Sequence, residues 1–502
     1  MKKRRIIGFV LTVALICSAF FTLTACGDKG NGDDSTKKSD VSETAWYSNL
    51  DFGGTTIRVS QSVGKWTNKR DAMDNAEKYT RGPSEAGNTD KVQNMCYDRN
   101  KEVANLLNVK VEYKNCTYYY DEIGPKLIDT AAVLSTAPYE FIINDVVAVV
   151  SAAIKGYLYN LNDQTEQNYF RFDDPSWYKD YMLGLTMNAD RIYAVAGDYF
   201  IDMLRSAHCL YMNTENFETY CKAEYETLDD FYEMILGGQW TYDEFSNLIT
   251  VGWKENASGH ATLDDECIGL IAATGGGLHP FCYATDIEMV EKDASGKWVI
   301  NPHINELQSY AEKLSSIYNN EGTYYYTSDL TAGFADTFTE GRALFLNSYW
   351  LGDLETDGFR SMEKKTPIVY PKWHMEQENY KTHVHDAAEI GYVLTNAQNF
   401  TVTSAYLQLI NEKSVNVMNE YYQYALKYKH NTDSGAVRMI ELIHDTISSP
   451  FNQFFSTAQV ECSVMRIVSG SPINTNVSST FASNKQTYEE NLRNLTQKFG
   501  EQ

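Results

Sequence analysis

His383, His385 and Asp386 stand within four residues of one another, with His374 a short way upstream. Imidazole and carboxylate are metal-ligand types. On a strand, however, residues i and i+2 share a face, so two imidazoles at that spacing also lie side by side with no metal. Spacing alone leaves both readings open. No G-x-x-x-x-G-K-[ST] or G-x-G-x-x-G stretch is present to cradle phosphate. No H-E-x-x-H or G-x-S-x-G is present for metal-assisted or serine hydrolysis. Gly275-Gly276-Gly277 is a loop signal with no lysine after it. Glycosidase carboxylates are set by a spatial separation of about 5–10 Å. With 67 Asp+Glu in the chain, sequence cannot single out such a pair.

The elements that must position these groups alternate in type. TTIRVSQS (Thr55 to Ser62) reads as a strand, Cys96 to Leu107 as a helix, and Val109 to Tyr113 as a second strand. PYEFIIND (Pro138 to Asp145) has the unbroken apolar centre of a buried strand. Val146 to Gly156 follows as a helix closed by glycine. This rhythm predicts an α/β fold with parallel pairing. Further strands are expected at Arg191–Val195, Cys209–Met212, Ile268–Ala273, Ala343–Asn347, Thr366–Val369 and Glu389–Leu394. Thr241 and Glu244 match a capping box for a helix to about Leu248. Asn305–Tyr318 has helical spacing, and Thr403–Lys429 reads as one long amphipathic helix or a helix pair.

The acidic balance, 67 Asp+Glu against 43 Lys+Arg, argues against nucleic acid and anionic lipid as partners. Met1 to Arg5 is a basic head, and Ile6 to Ala25 is apolar or small, the layout of a secretory signal. An uncleaved membrane anchor is the alternative, since a span needs about 20 apolar residues. Removing the four basic signal residues leaves 39 basic against 67 acidic residues, a net charge of −28. Gly27 to Glu43 contains one apolar residue, Val41, and reads as a flexible tether with a reach of about 20–25 Å. The remaining length implies at least two domains. Seven cysteines remain besides Cys17 and Cys26, with no C-x-x-C. Buried free thiols are expected, with Cys209–Cys221 or Cys267–Cys282 as a possible bridge. Aromatic content is 13%, with 36 Tyr, which suits stacking on sugar rings with a polar handle at hand.

Leu23-Thr24-Ala25-Cys26 resembles the bacterial lipobox, which implies cleavage before Cys26 and a diacylglycerol on its thiol. Beyond it, a series of stretches resembles the sugar-type extracellular solute-binding proteins of ABC importers, in particular the large lipoproteins of anaerobic Gram-positive bacteria. They are MCYDRNKEVANLLNVKVEY, PYEFIIND with VVAVVSAAIKGYLYNLND, RIYAVAGDYF…LYMNTENFE, GGQWTYDEFSNLI, FTEGRALFLNSYW, TPIVYPKWHMEQENYKTHVHD and NEYYQYALKYKHNTDSGAVRMIELI. They run in order from about Thr55 to Ile443. One departure is local: Lys429-His430-Asn431-Thr432-Asp433 lacks the arginine usual before the aspartate.

The resemblance implies a two-lobed, periplasmic-binding-protein-like class II fold, with hinge strands near Ala196–Arg205 and Thr382–Glu389 and a cleft between the lobes. After a signal peptide (1–25) and a lipidated tether (26–45), the first lobe takes 46–200 with about 387–430. The second takes 201–386 with about 431–502. Ligands of open α/β sheets lie at strand carboxyl ends. The resemblance places Asn144 and Asp145 at the ligand loop and Trp350, beside Tyr349, as the stacking aromatic. Ser60, Ser62 and Trp66 follow the first strand, Tyr199 and Asp202 flank the first hinge, and His385 and Asp386 the second. Each has a plainer role open to it: Trp350 as core, Asp145 as a helix N-cap. The implied activity is capture of a carbohydrate, an oligosaccharide, for an ABC permease by a monomer lipid-anchored outside the cell membrane. No catalytic residue, cofactor or metal is implied. The rivals are the same fold with a peptide, polyamine or organic anion, an exported glycosidase, and an adhesive lipoprotein without a small ligand.

Overall fold

Phe141–Asp145 is buried along its whole length, as a strand covered on both faces must be. It is one of eleven strands in the computed structural model, which describes residues 45–63, 76–83, 90–116, 123–256, 259–326, 333–427 and 434–500. In chain order they are β1 Thr55–Ser62, β2 Val109–Cys116, β3 Phe141–Asp145, β4 His208–Asn213, β5 Ile268–Ala273, β6 Val290–Lys292, β7 Trp298–Ile300, β8 Thr323–Tyr326, β9 Ala343–Trp350, β10 Lys365–Ile368 and β11 Glu389–Tyr392. All belong to a compact unit spanning Tyr47–Gln502.

Two sheets carry two lobes. The first has the order β11-β3-β1-β2 and the second β10-β4-β9-β5-β8, while β6 and β7 form a separate hairpin. In the first, β1 pairs parallel with β2 and β3. β11 closes the edge antiparallel to β3, with Glu389 opposite Asp145 and Gly391 opposite Ile143. In the second, β5 runs parallel to β8 and β9, and β4 runs antiparallel to β9 and β10. The core of the second lobe is aromatic. Trp240 is fully buried between Phe231 and Phe245, each with ring centres 5.4 Å away, and its indole N–H donates to the Val369 carbonyl.

Gly391 is required by close approach. A Cβ there would run into the ring of Phe141 and touch that of Phe200. Gly391→Ala is expected to cost about 1–3 kcal/mol, the usual penalty of overpacking. Urea unfolding should show a lower midpoint at unchanged slope.

Several expected elements form, with instructive differences. Val146–Ile154 is helical and ends at Gly156, whose φ of 74° is the left-handed stop that glycine permits. The stretch from Thr403 becomes a helix pair, Phe400–Glu412 and Val415–Lys427. The helix Tyr242–Gly252 forms, but Thr241 makes no capping bond, and the Glu244 carboxylate accepts from the Tyr225 hydroxyl at 2.8 Å. The true capping box of this region is Thr227 with Asp230. Arg191–Val195 makes no strand, only a single bridge from Val195 to Gly391. The seven described cysteines are free, six of them buried. Burial pushes the Cys221, Cys267 and Cys282 thiols up to about 12, which leaves them un-ionised and inert. Among the described residues no helix is long and apolar enough to cross a membrane.

Chain segments cross between the lobes. The first crossing turns through a short helix, Ile201–Arg205, so the expected strand near Ala196–Arg205 is helical at its end. It then pairs antiparallel with the second crossing. His208 donates its N–H to the His383 carbonyl, and His385 donates to Ser206. On its other edge the second crossing pairs with a third segment, Thr382 donating to Thr446 and Ser448 donating back to Thr382.

Candidate functional site

The carboxyl ends of β1, β2 and β3 and the amino end of β11 reach the crossings from one side. The carboxyl ends of β5 and β9 and the amino end of β4 reach them from the other. Most of the sequence-derived candidates come together here, in two groups.

The first group is a buried charge network. Arg205 is the hub. It donates through Nε and Nη2 to the two Glu355 carboxylate oxygens, both at 2.9 Å, and through Nη1 to Asp202 at 2.8 Å. Its guanidinium lies 4.1 Å from the ring centre of Tyr79. The Arg205 and Asp202 side chains are each 1% exposed. Tyr421 and Tyr79 donate hydroxyl hydrogens to Glu355. The network continues through the Glu389 N–H, which donates to Asp202. Glu389 Oε1 accepts from Gln61 and Ser62, and Oε2 from Thr80. Ser62 is therefore committed to the Glu389 carboxyl group inside the protein. Burial, with the nearby Asp202 charge, pushes Glu389 up to about 8, against the pull of its Ser62 and Gln61 hydrogen bonds. Burial also raises Asp202, but Asp202 has Arg205 in direct contact and Glu389 has no such cation. Of the two, Glu389 holds the proton.

Asn144 and Asp145 sit beside this network at the end of β3. Asp145 Oδ1 accepts from the Ala148 N–H, which makes it the N-cap of Val146–Ile154. Asn144 Oδ1 accepts from the Asp145 N–H. Both residues are at most 1% exposed. Ser60 is buried and hydrogen-bonds the Cys116 thiol. Tyr199 is buried under the Arg99 guanidinium, 4.9 Å from its ring centre, with its hydroxyl 3.5 Å from that of Tyr113. Trp66 and Cys26 lie outside the described residues.

The second group is a continuous set of rings on the second-lobe side. Trp350, 1% exposed, donates its indole N–H to His208 Nε2 at 3.0 Å and meets the His385 ring edge-on at 4.6 Å. His208 stacks on His383 with ring centres 5.0 Å apart and planes 12° from parallel. His383 also touches Tyr283 at 4.7 Å and His279 at 6.2 Å. Tyr349 is buried against Phe359. His385 and Asp386 are the outer members, with side chains 16% and 27% exposed. Burial, then the neighbouring His279 and His385, push His383 well below the ordinary imidazole range, so it is neutral. Among the described residues no group of three or more His, Cys, Asp or Glu is placed to hold a metal ion.

Two sheets with their carboxyl ends turned toward a shared joint, and two antiparallel crossing segments paired there, define the architecture. This is the two-lobed periplasmic-binding-protein fold. The receptor GacH of Streptomyces glaucescens GLA.O, solved without ligand and with acarbose or an acarbose homolog, is similar with a TM-score of 0.50. The match covers 87% of this chain and 99% of that one at 12% identity. A structure described as a de novo designed esterase improved by directed evolution and rational design matches with a TM-score of 0.52, over 89% and 99% of the two chains, also at 12% identity. At that identity the likeness concerns the path of the chain, and the unlike descriptions of the two neighbours carry no chemistry over. No family signature and no curated protein matches the sequence.

Sequence reasoning missed His208, His279, Tyr283 and His383 as one cluster, and Arg205, Glu355 and Glu389 as another. The partners lie far apart along the chain, so no local spacing reports them. The signal that remained was weaker: titratable residues at strand ends of an α/β fold, where such folds place their ligands.

Proposed function

We propose that the protein is a lipid-anchored extracellular receptor that captures a carbohydrate, an oligosaccharide, and delivers it to an ABC permease. The observation that carries this reading is the binding-protein fold with a wall of rings at its joint. His385 and Asp386 are its outer members, with Trp350 and His383 buried behind them, and a neutral imidazole carries one donor and one acceptor. Sugar hydroxyls both donate and accept, and the apolar faces of sugar rings stack on aromatic side chains. The GacH receptor, solved with acarbose or an acarbose homolog, shares this path of the chain. The reading assigns Asn144, Asp145, Ser60, Tyr199, Asp202, Tyr349, Trp350, His385 and Asp386 to the cleft or its supports. It takes 46–200 with about 387–430 as one lobe and 201–386 with about 431–502 as the other. Cys26 carries the lipid, and the receptor acts as a monomer without cofactor or chemistry.

The test is a thermal-shift screen of the chain from Trp46 onward against mono- and oligosaccharides, peptides and polyamines. A solute that binds only the folded state adds about 2.7 kcal/mol at a hundredfold excess over Kd. Stabilisation by one carbohydrate class is the expected result. Stabilisation by a peptide or an amine, with none by any carbohydrate, overturns the sugar assignment and leaves the fold intact.

A further inference from the structure

The hydrogen-bond directions in the ring cluster fix the protonation of its members. An indole N–H can only donate, so His208 Nε2, 3.0 Å from Trp350 Nε1, must be the acceptor. A backbone N–H can only donate, so His385 Nδ1, 3.1 Å from the Ala387 nitrogen, must accept as well. His208 is thereby held neutral by a donor that cannot reverse, whereas the same His385 nitrogen also lies 3.2 Å from an Asp386 carboxylate oxygen. A proton added to either nitrogen faces another N–H. His383 lies against the His208 ring, 95% buried, and its Nε2 has no hydrogen-bond partner among the described residues.

We propose that this cluster is an acid-sensitive latch on Trp350: protonation of His208 breaks its bond to the indole and frees the ring wall of the cleft. The groups facing the cluster set the balance. From β4 there is His208 itself, and from the helix after β5 there are His279 and Tyr283. From the second crossing there are His383, His385 and Asp386, and Asp353 holds the Trp350 backbone N–H. Asp386, 3.2 Å from His385 Nδ1, offers a partner to a proton there and so favours charging His385 before the others. A charge on His385 raises the cost of a second on His208, 6.0 Å away. The latch therefore holds above the ordinary imidazole pKa of about 6.5. Each pH unit below the depressed midpoint multiplies the released population by up to about ten. The link to solute release rests on the carbohydrate-receptor reading; the latch does not.

The experiment follows the Trp350 indole N–H resonance of the solute-free protein by NMR from pH 8 to pH 4.5, assigned with Trp350→Phe. The expected result is a resonance constant down to about pH 6, then shifted or lost with a midpoint below 6.5. In His208→Gln, whose amide oxygen still accepts from the indole without titrating, the resonance is retained through the same range and moves only by the smaller shift that a charged His385, 4.6 Å from the Trp350 ring, imposes. A resonance that never moves, or that moves identically in His208→Gln, overturns the proposal. Should His208→Gln fail to fold, the imidazole proton resonances of the native protein decide. A His208 midpoint below 6.5 supports the latch, and one at or above 6.5 overturns it. None of these readouts needs a solute, so failure of the sugar assignment leaves them unaffected.

Discussion

Arg205→Met should destabilise the protein by about 3–5 kcal/mol, the loss seen when one partner of a buried charge network is removed. The substitution leaves Glu355 and Asp202 buried without their cation, and Tyr79 without the guanidinium on its ring. Most of the loss is the stranded charge and not the missing attraction. Adding Glu355→Gln to the same chain should therefore recover part of it, because a neutral amide still accepts from Tyr421. Urea unfolding of the single and double variants measures this coupling. A double variant less stable than Arg205→Met by the full cost of Glu355→Gln alone would show that the two residues act independently.

Glu389→Gln should do the opposite at alkaline pH. The folded-state value of about 8 lies above the ordinary 4.5, so the native state holds a proton the unfolded chain has released. The stability from that proton is fully present below pH 4.5 and is lost as pH rises through 8. Between those limits the slope is at most about 1.4 kcal/mol per pH unit. Glutamine fits the site: its amide oxygen keeps the Gln61 and Ser62 bonds, and its nitrogen can donate to the Thr80 hydroxyl. The variant should lose this slope and exceed the native protein in stability above pH 8. A native and a variant profile that run parallel from pH 5 to pH 9 would place the proton elsewhere, with Asp202 the first candidate.

Both predictions turn on residues that the sequence hides. The alternation of strand and helix from Thr55 to Gly156 is legible because apolar period and glycine stops are local properties. The helix pair after Asn399 is legible for the same reason. Asp145 was legible as an N-cap, since a carboxylate between a buried strand and a helix is placed to accept from the first turn. The glutamate half of the Thr241–Glu244 box is taken by a tertiary partner, Tyr225. Glu389, Arg205 and Glu355 look like solvated charges in sequence; only folding brings Ser62, Thr80 and Tyr421 to them. The imidazole at 383 was visible as half of a spaced pair, but its true partners come from elsewhere, His208 from β4 and His279 from the helix after β5.

The strip of backbone at that joint has a mechanical consequence. Residues 382–385 are bonded on one edge to 206–208 and on the other to 446–448, so three plies lie side by side, each stitched to the next by a pair of hydrogen bonds. Such a strip resists stretching and shearing in its own plane, where bonds must lengthen, and yields to bending and twisting out of it. It is a flexure in the engineer's sense, with a soft axis built from its thinness. A jaw mounted on a flexure returns to the same register each time it shuts. On the receptor reading proposed above, the side chains on the two sides would meet in the same pairs after every opening.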